Sequence, residues 1–390
     1  MEKNQWKIKK LGDCCEVNPH NSASLPEYFH YIDLESVVSG KLVKNQFVAK
    51  KNAPSRAQRL VLNNDVLYQT VRPYQMNNYI FKGKDNEYVA STGYALLRAK
   101  ENIDADFIYY IIHTHNFVSM VLGLCTGTSY PAITPSLLNK IDIPIPVTSG
   151  EKPSLPAQRR IAEILSSVDK VISSTESLIE KYKAIKMGLL NDLLQPKEGW
   201  RKITLDKCCD INPRNSTDLP ENFFYIDLES VVAGELVKQQ FVSKIDAPSR
   251  AQRLVLNNDV LYQTVRPYQM NNYIFKGNDN EYVASTGYAL LRAKENIDAD
   301  FIYYIIHKHD FVSTVLGLCT GTSYPAITPS LLNVIEVFLP YKNNIPDFIE
   351  QRRIASILQS VDSKIETEQK TLEKYISIKK GLMKDLFTGE

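Results

Sequence analysis

The chain has 390 residues, 44% of them apolar, which is enough to form two or three packed domains. No stretch is as long and apolar as a membrane-spanning helix requires, and residues 1–5 open on charge instead of a signal-peptide pattern, so a cytoplasmic protein without a membrane partner is expected. The 46 Lys and Arg residues against 44 Asp and Glu residues neither require nor exclude a nucleic-acid partner.

The first part of the chain is predicted to contain short β-strands followed by a helix. β-rich runs occupy residues 31–34, 60–62, 66–68 and 88–90, and turns rich in Asn, Asp and Gly separate them. Residues 107–124 then show apolar side chains at helical spacing, for example Ile108, Ile111, Phe117 and Val121. A small, strongly bent β-sheet packed on one helix is the expected result.

A long helix is predicted next. Apolar residues recur from Ile161 onwards with a 4-3-4-3 spacing, which is a heptad pattern. After Tyr182 the strict register meets Lys186, and the predicted apolar stripe shifts to Ile185 and Leu189. This pattern indicates a helix that pairs with another helix along one face.

The whole pattern then repeats. Trp6 and Trp200, the only tryptophans, are 194 positions apart, and residues 31–139 are identical to residues 225–333 at 99 of 109 positions. Residues 158–194 match residues 351–387 at 20 of 37 positions, after the offset has dropped to 193. Asp347 and Glu350 fit the N-cap and third position of the second long helix. The chain is therefore predicted to hold two copies of one module, each followed by a long helix.

These elements predict four segments: a first module (residues 1–153), a central spacer helix (154–195), a second module (196–346) and a distal spacer helix (347–390). Because only residues 195–199 separate the first helix from Trp200, we expect the helices to pair antiparallel with a module at each end. The predicted fold class is α+β, with two pseudo-twofold-related modules separated by a two-helix antiparallel coiled coil. The predicted seam between the helices consists of Ile161, Leu165, Val168, Ile172, Ile179, Ile354, Leu358, Val361, Ile365 and Leu372.

Catalytic and metal-binding motifs are missing from the sequence. It has no phosphate-binding loop, dinucleotide fingerprint, zinc-protease motif or nucleophile elbow. The six cysteines show no C-x-x-C spacing, and His113 and His115 point to different faces of their helix. We therefore expect buried free thiols, no metal site, no catalytic residue and no cofactor bound by this chain.

Each module instead carries three loops rich in groups that bind phosphates and base edges. In the first module these are loop A (residues 54–59), loop B (70–79) and loop C (126–131), and the second module repeats them unchanged at 248–253, 264–273 and 320–325. Arg pairs with guanine and Asn or Gln with adenine in the major groove, while Ser, Thr and Tyr commonly bind phosphates. Any one loop is also explained as an ordinary turn, but together the three predict DNA binding.

The candidate DNA-binding residues occupy equivalent positions in the two modules. In the first module they are Arg56, Gln58, Arg59, Arg72, Tyr74, Gln75, Asn77, Asn78, Tyr79, Thr128, Ser129 and Tyr130. In the second module they are Arg250, Gln252, Arg253, Arg266, Tyr268, Gln269, Asn271, Asn272, Tyr273, Thr322, Ser323 and Tyr324.

The order of several motifs resembles that of the specificity subunits of type I restriction–modification systems. The motifs are Trp6 with Leu-Gly-Asp at 11–13, Asn-Asp-Val-Leu-Tyr at 64–68 leading to Val-Arg-Pro at 71–73, Ser-Thr-Gly-Tyr at 91–94, Gly-Thr-Ser at 127–129 with Ile133, and Gln-Arg-Arg-Ile-Ala at 158–162. All recur in the second half except Leu-Gly-Asp, of which only the leucine is kept. The resemblance implies that each module is a target recognition domain that reads one half of a split double-stranded DNA site. It also implies that the helices set the spacer and dock two methyltransferase subunits.

The resemblance further implies no catalysis by this chain. S-adenosylmethionine, ATP and Mg would be bound by the methyltransferase and restriction subunits. In the family the two domains commonly read different half-sites, whereas here the three loops are identical. Identical domains related by a twofold axis predict an inverted-repeat target with a non-specific spacer. A helix of roughly 37 residues is about 55 Å long, which allows two half-sites around one turn of DNA apart.

Three alternatives remain open at this point. A free-standing DNA-binding regulator would use the same modules and helices without enzyme partners. A nuclease or methylase hidden in the modules would need an active site, and the sequence shows no motif for one. A purely structural coiled-coil protein would leave the duplicated polar loops without a role.

Overall fold

The computed structural model describes residues 5–20, 24–215, 217–321 and 323–388. Contacts between residues divide the chain into two compact units, residues 1–176 with 370–390 and residues 177–369. Each unit combines one module with the beginning of the long helix that follows it and the end of the other long helix. The fold class is α+β, as predicted, with β-rich modules and two long helices packed together.

The first module is built from short strands and short helices. Its strands are β1 (Gln5–Lys10), β2 (Cys15–Val17), β3 (Tyr28–Ile32), β4 (Val37–Val38), β5 (Lys41–Leu42), β6 (Gln46–Ala49), β7 (Ala57–Val61), β8 (Val66–Gln69), β9 (Tyr79–Ile80), β10 (Tyr88–Ser91), β11 (Tyr94–Ala99) and β12 (Asp142–Val147). Its helices are α1 (Leu11–Cys14), α2 (Ala105–Ile111), α3 (His115–Leu124) and α4 (Pro135–Leu138), and the long helix α5 (Leu155–Leu193) follows.

The predicted bent sheet is divided into two sheets. Among the described residues of the first module, four-stranded sheets have the orders β6-β3-β10-β7 and β2-β11-β8-β9, and β1 pairs with β12 and β4 with β5. Strand β10 continues into β11 across a tight turn at Thr92 and Gly93, so the chain passes directly from one sheet to the other. The predicted strand runs all fall in or next to observed strands, although the run predicted at residues 31–34 begins at Tyr28 and ends at Ile32.

The single helix predicted over residues 107–124 is wrong, because helices α2 and α3 replace it and meet at an angle of 70°. The Asp104 carboxylate caps α2 by accepting a hydrogen bond from the Phe107 backbone N–H at 3.0 Å. Thr114 caps α3 in the same way through the Phe117 N–H at 3.4 Å. The apolar spacing runs through the break because both helices bury one face in the same core, with Phe107 on α2 and Val121 on α3.

Within the described residues, no single helix is long and apolar enough to cross a membrane. Helices α2 and α3 are bent relative to each other, and they reach that length and apolarity only when their residues are counted together. That criterion considers length and composition alone. Several of their apolar side chains lie in the hydrophobic core of the first unit.

A buried ion pair connects the two strands at the centre of the second sheet. The Asp65 carboxylate, 1% exposed, accepts hydrogen bonds from Arg98 Nε at 2.8 Å and Nη2 at 2.7 Å. It also accepts one from the Leu62 backbone N–H at 2.8 Å. The second module repeats this arrangement with Asp259 and Arg292. Each pair holds the turn before β8, or before its counterpart in the second module, against the neighbouring strand.

The second module has the same order of elements. Its strands are β13 (Trp200–Thr204), β14 (Cys209–Ile211), β15 (Asn222–Ile226), β16 (Val231–Val232), β17 (Glu235–Leu236), β18 (Gln240–Ser243), β19 (Ala251–Val255), β20 (Val260–Gln263), β21 (Tyr273–Ile274), β22 (Tyr282–Ser285), β23 (Tyr288–Ala293), β24 (Glu336–Lys342) and β25 (Ile345–Pro346). Its helices are α6 (Leu205–Cys208), α7 (Ala299–Ile305), α8 (His309–Leu318) and α9 (Pro329–Asn333), and the long helix α10 (Phe348–Thr388) follows. The four-stranded sheets have the orders β18-β15-β22-β19 and β14-β23-β20-β21 in the part of the chain that is described.

The ends of each module lie side by side. Strand β1 pairs antiparallel with β12 from Gln5 opposite Val147 to Lys10 opposite Asp142, and β13 pairs with β24 in the same way. Strand β12 leads into α5 after a short connection, and β24 leads into α10 through β25. At the start of α10, the Asp347 carboxylate accepts a hydrogen bond from the Glu350 N–H at 3.1 Å, as an N-cap does.

The two long helices run antiparallel within each unit. In the first unit, Leu165 near the start of α5 and Phe387 at the end of α10 lie in one core with the module. In the second unit, Leu358 near the start of α10 shares a core with Leu190 and Leu194 at the end of α5. The beginning of one helix therefore meets the end of the other in both units.

The predicted seam residues have two kinds of surroundings. Ile161, Leu165, Ile354 and Leu358 belong to the hydrophobic core of the adjacent module, so they attach each helix to that module. Further along the helices, the seam residues are buried or half-buried. They are Val168, Ile172, Ile179, Val361, Ile365 and Leu372.

The predicted shift of the apolar stripe near Lys186 is wrong at Ile185, which is 40% exposed, because Lys186 stays on the packed side. Leu189 packs against the core of the second unit together with Leu193, as predicted. Lys186 Nζ lies 2.5 Å from the Asp362 carboxylate, which also accepts a hydrogen bond from Tyr304 Oη at 2.8 Å. In the first unit, Asp169 makes the equivalent contacts with Lys379 at 2.6 Å and Tyr110 at 2.9 Å. The lysines are therefore tolerated in the seam because each has a carboxylate partner. We call each set of three side chains a helix clamp.

Candidate nucleic-acid interface

The tight turn between β10 and β11 connects loops A and B of the first module. The Thr92 N–H donates to the Arg56 carbonyl oxygen of loop A at 2.8 Å. The Gly93 carbonyl oxygen accepts from the Thr70 N–H of loop B at 3.0 Å and from its hydroxyl at 2.7 Å. Arg59 Nε also donates to the Tyr94 carbonyl oxygen at 2.9 Å. Loops far apart in the sequence are therefore fixed to one turn.

Loop C joins the same surface through loop B. The Arg72 N–H donates to the Pro131 carbonyl oxygen at 2.7 Å, and the Ile133 N–H donates to the Thr70 carbonyl oxygen at 3.0 Å. The Arg72 guanidinium lies over the Tyr130 ring at 4.3 Å from its centroid, which is a cation–π contact. The structure thus brings all three predicted loops of the module together.

Loop B has an unusual backbone around a short 3₁₀ turn at Pro73–Gln75. Arg72 before it has φ +54° and Met76 after it φ +51°, a left-handed conformation that non-glycine residues rarely adopt. The Gln69 side chain holds this loop, since its Nε2 donates to the Val71 carbonyl and to Gln75 Oε1, both at 2.8 Å. Such conformations often mark functional sites, where the surrounding structure supports their cost.

Most of the candidate side chains in the three loops reach solvent. Tyr74 is 49% exposed and Tyr130 is 65% exposed. The other exposed candidates of the first module are Arg56, Gln58, Gln75, Thr128 and Ser129. The surface therefore presents cationic, amide, hydroxyl and aromatic groups together, and these are the groups that contact phosphates and base edges.

Arg59 and Arg72 are partly buried. Their contacts hold the loops in position, and both side chains also form part of the loop surface. Burial lowers the pKa of Arg59, whose Nε is already used by the Tyr94 carbonyl. Arg72 Nε is buried without a hydrogen-bond partner among the described residues. Stacking on Tyr130 leaves the rest of the Arg72 guanidinium at the loop surface.

The end of loop B is less exposed than the rest of the loop: Asn77 and Tyr79 are half-buried and Asn78 is buried. Asn78 is 1% exposed; its Oδ1 accepts from the Gln69 N–H at 2.8 Å and its Nδ2 contacts His113 Nε2 at 3.2 Å. Asn77 Oδ1 accepts from the Ser39 N–H at 3.1 Å. Tyr79 packs against the core in strand β9, and burial raises its pKa. Asn78 therefore supports the loop from inside, and Asn77 and Tyr79 make internal contacts while half-buried, because loop B turns into a strand there.

The second module has the same arrangement. The Thr286 N–H donates to the Arg250 carbonyl at 2.9 Å, and Arg266 lies over Tyr324 at 4.4 Å. The exposed candidates are Arg250, Gln252, Tyr268, Gln269, Ser323 and Tyr324. Arg253, Arg266, Asn271 and Tyr273 are partly buried, and Asn272 is buried. The remaining candidate, Thr322, lies outside the described residues.

Residues 91–94 stand out in the sequence only as a motif of the family resemblance that recurs in both modules; the sequence does not show that they organise the loops. Thr92 and Gly93 contribute mainly backbone groups. Every residue has such groups, so a sequence pattern does not show which of them make these contacts. This repeated motif was the only indication in the sequence that these residues matter.

The structure offers no metal-binding cluster or reactive thiol at this surface. Among the described residues, no group of three or more His, Cys, Asp or Glu side chains is placed to hold a metal ion. Cys14 and Cys15 are buried in the core, as predicted, and burial raises the pKa of Cys14 to about 11. Cys125, immediately before loop C, is half-buried and not buried as predicted, and partial burial raises its pKa as well. Such thiols are protonated at neutral pH and are poor nucleophiles.

Comparison with known proteins identifies the family. Residues 3–184 and 197–375 match the family model described as the type I restriction modification DNA specificity domain. The chain belongs to the family of type I restriction–modification specificity subunits. The match covers both modules and most of both long helices. A specificity subunit is the DNA specificity component of a type I restriction enzyme and not its catalytic component.

Similar specificity subunits occur in archaea and bacteria. The MjaVIII specificity subunit of Methanocaldococcus jannaschii is 23% identical over 419 aligned residues, which cover 99% of this chain and 92% of that protein. The HindI specificity subunit of Haemophilus influenzae is 24% identical over 194 residues, which cover 48% of this chain and 40% of that protein.

Solved structures show the same fold. The S subunit of a type I system from M. genitalium superposes with a TM-score of 0.62 at 18% identity, covering 99% of this chain and 97% of that one. A chain from a structure concerned with complex assembly and conformational transition of the type I restriction–modification system gives a TM-score of 0.60 at 21% identity, covering 98% and 97%.

Proposed function

We propose that this specificity subunit binds a bipartite DNA site that is an inverted repeat, with one module on each half-site. The observation that supports this most strongly is the convergence of loops A, B and C on one exposed surface in both modules. The loops are identical in sequence, and the Arg–Tyr stack recurs at 4.3 Å and 4.4 Å. The predicted pseudo-twofold relation of the modules is part of the proposal, because identical surfaces related in that way bind the same half-site on opposite strands.

Within this proposal the candidate residues divide into two groups. Arg56, Gln58, Arg72, Tyr74, Gln75, Thr128, Ser129 and Tyr130, with their counterparts in the second module, contact DNA directly. Asn77, Asn78 and Tyr79, with Asn271, Asn272 and Tyr273, hold loop B in shape. The second group is distinguished by burial and internal hydrogen bonds. The first group is otherwise exposed among the described residues, but it includes the half-buried Arg72 and Arg266, and we assign the equally half-buried Arg59 and Arg253 to it as well.

The partners in the proposal follow from the family. Two methyltransferase subunits dock on the long helices, and restriction subunits complete the complex. S-adenosylmethionine, ATP and Mg are bound by those subunits, and the complex works in the cytoplasm on double-stranded DNA. Residues 1–153 and 196–346 are the target recognition domains, and residues 154–195 and 347–390 are the spacer helices.

Mapping methylated adenines in a genome that carries this gene tests the proposed site. The expected result is one motif with the same half-site in inverted orientation on both sides of a fixed, non-specific spacer. Two unrelated half-sites, or the same half-site in direct repeat, would overturn the proposal.

The duplication supplies a matched control at the level of residues. Replacing Arg72 by Ala alters one module only, so we expect one half-site to become degenerate or weaker while the other is read as before. Good contacts from an arginine fork to DNA contribute about 1–3 kcal/mol, which corresponds to roughly a 5- to 150-fold loss of affinity. The same change at Arg266 should have an equivalent effect on reading. Unchanged DNA binding in both variants would show that these loops are not the DNA surface.

A further inference from the structure

The two modules differ in charge although their loops are identical. Ten of the 109 aligned positions between residues 31–139 and 225–333 differ, and six of these change charge. Lys41, Lys51 and Lys84 become Glu235, Ile245 and Asn278; Asn52 and Asn116 become Asp246 and Asp310; and Thr114 becomes Lys308. The first module is therefore five unit charges more positive than the second over this region.

Three of these charged residues have an ion-pair partner inside their own unit. Lys41 pairs with the Glu176 carboxylate at 2.7 Å, so its charge is partly neutralised in the first unit. Lys308 pairs with Asp310 at 3.1 Å, so these two new charges in the second module offset each other. Lys308 and Asp310 therefore contribute little to the difference in charge between the modules.

The changes at Lys51 and Asn52 lie immediately before loop A. Lys51 is exposed in the short 3₁₀ turn Lys50–Asn52, five positions before Arg56. In the second module the equivalent Ile245 is 90% exposed and packs on almost nothing. Its neighbour Asp246 adds a negative charge at the same turn. This turn therefore differs by two unit charges beside an otherwise identical surface.

The turn is held in a similar place in both modules. Ala53 at its end packs against the small core around Phe29, and Ala247 packs against the equivalent core around Phe223. The residues after it form loop A with the same exposure at each position. The two modules thus present different charges at an equivalent position next to the proposed DNA contacts.

We infer that the first module anchors the subunit on DNA, binding its half-site more tightly and with a steeper salt dependence than the second module, while both read the same sequence. The inference rests on the proposed function. Each phosphate neutralised by a protein cation changes the slope of log K against log[salt] by about 0.9. A lysine beside loop A adds such a contact, whereas an isoleucine adds none and an aspartate repels the phosphate backbone.

Exchanging the turn residues between modules tests the charge difference directly in the full-length chain. One variant carries Lys51→Ile with Asn52→Asp, and the other carries Ile245→Lys with Asp246→Asn. The probes are a duplex with the mapped inverted-repeat site and a mixed-sequence duplex of equal length, with binding measured from 50 to 200 mM KCl. Each exchange introduces residues that the other module already holds at the same turn, so both variants are expected to fold.

The first variant should lose, and the second should gain, about one to two units of salt slope. Over this fourfold range of salt, such a change alters the affinity ratio by about 3- to 12-fold. The preferred sequence should stay the same in both variants. Slopes equal to that of the unaltered chain in both variants would overturn the inference.

A matched pair of loop variants tests which module anchors. Arg72→Ala weakens the first module and Arg266→Ala makes the same change in the second, so a duplex with one half-site then reports the intact module. We expect the Arg266→Ala chain to bind at least threefold more tightly, and adding Ile245→Lys with Asp246→Asn to the Arg72→Ala chain to remove that difference. Equal affinities and slopes would overturn the inference and leave the proposed function standing. No effect of either arginine variant on binding would instead overturn the proposed function, and the inference with it.

Discussion

Replacing Asp65 by Ala should open the first module locally and leave the second unchanged. The Asp65 carboxylate is 1% exposed, accepts two hydrogen bonds from Arg98 and satisfies the Leu62 N–H. Removing one partner of a buried ion pair costs about 3–5 kcal/mol, and we expect about 3–4 kcal/mol here because the Arg98 charge left without compensation is 27% exposed. About 1 kcal/mol of that sum corresponds to the backbone hydrogen bond. The first module should therefore open two to three orders of magnitude more often.

Hydrogen exchange measured by mass spectrometry resolves this effect module by module. Peptides that contain sequence differences are needed, such as residues 31–49 and 107–120 against residues 225–243 and 301–314. In the Asp65→Ala chain, slowly exchanging amides of the first module should lose roughly 100- to 1000-fold protection. Those of the second module should keep theirs.

Two controls make the result interpretable. Asp259→Ala changes the equivalent pair, whose partner Arg292 is 28% exposed against 27% for Arg98, so the loss of protection should be equal but confined to the second module. Asp142→Ala removes an exposed ion pair with Lys10 and should change exchange by less than tenfold. A loss below tenfold for Asp65→Ala, or unequal losses at Asp65 and Asp259, would refute the reasoning.

Three further predictions concern single side chains. Burial lowers the pKa of His113, so as the pH falls the unfolded chain takes up a proton before the folded chain does. The stability of the fold is therefore highest above about pH 6.5 and decreases as the pH falls. His113→Gln should flatten the dependence of Tm on pH between 5 and 8. Tyr110→Phe removes the hydrogen bond to Asp169 in the first helix clamp and should lower the free energy of unfolding in denaturant by about 1 kcal/mol. An unchanged free energy of unfolding would show that the lysine alone holds the carboxylate. Thr114→Lys introduces the residue of the second module, where the helix has no side-chain cap. It should lower the free energy of unfolding by about 1 kcal/mol in the same assay. An unchanged midpoint would show that the Thr114 cap does not stabilise the protein.

The sequence predicted the repeat, the long helices and the fold class because these depend on patterns that extend over many residues. Heptad spacing from Ile161 and Ile354 reflects burial along a whole helix face, and it survives local irregularities. The break between α2 and α3 was missed because apolar spacing continues through it, while the capping Thr114 is a single residue. The position of Lys186 was missed because a lysine is acceptable in a seam only when a distant residue, Asp362, supplies the opposite charge.

The candidate site was predicted in composition but not in organisation. Loops A, B and C were recognised from their polar residues, and the structure brings them together through backbone groups of Thr92 and Gly93. Asn78 was placed among the DNA contacts because its side chain suits adenine, yet it is buried and holds loop B. Residue type shows what a side chain is able to bind; only the tertiary structure shows which direction it faces.

The pairing of β1 with β12 also bears on how such a protein is assembled from parts. Because β1 pairs with β12 and β13 with β24, the two ends of each module lie next to each other, and the module packs on the helices through its core. A different module with the same closing strands could be grafted there without altering the course of α5 or α10. The two helices would then keep their length while the module between its closing strands is replaced.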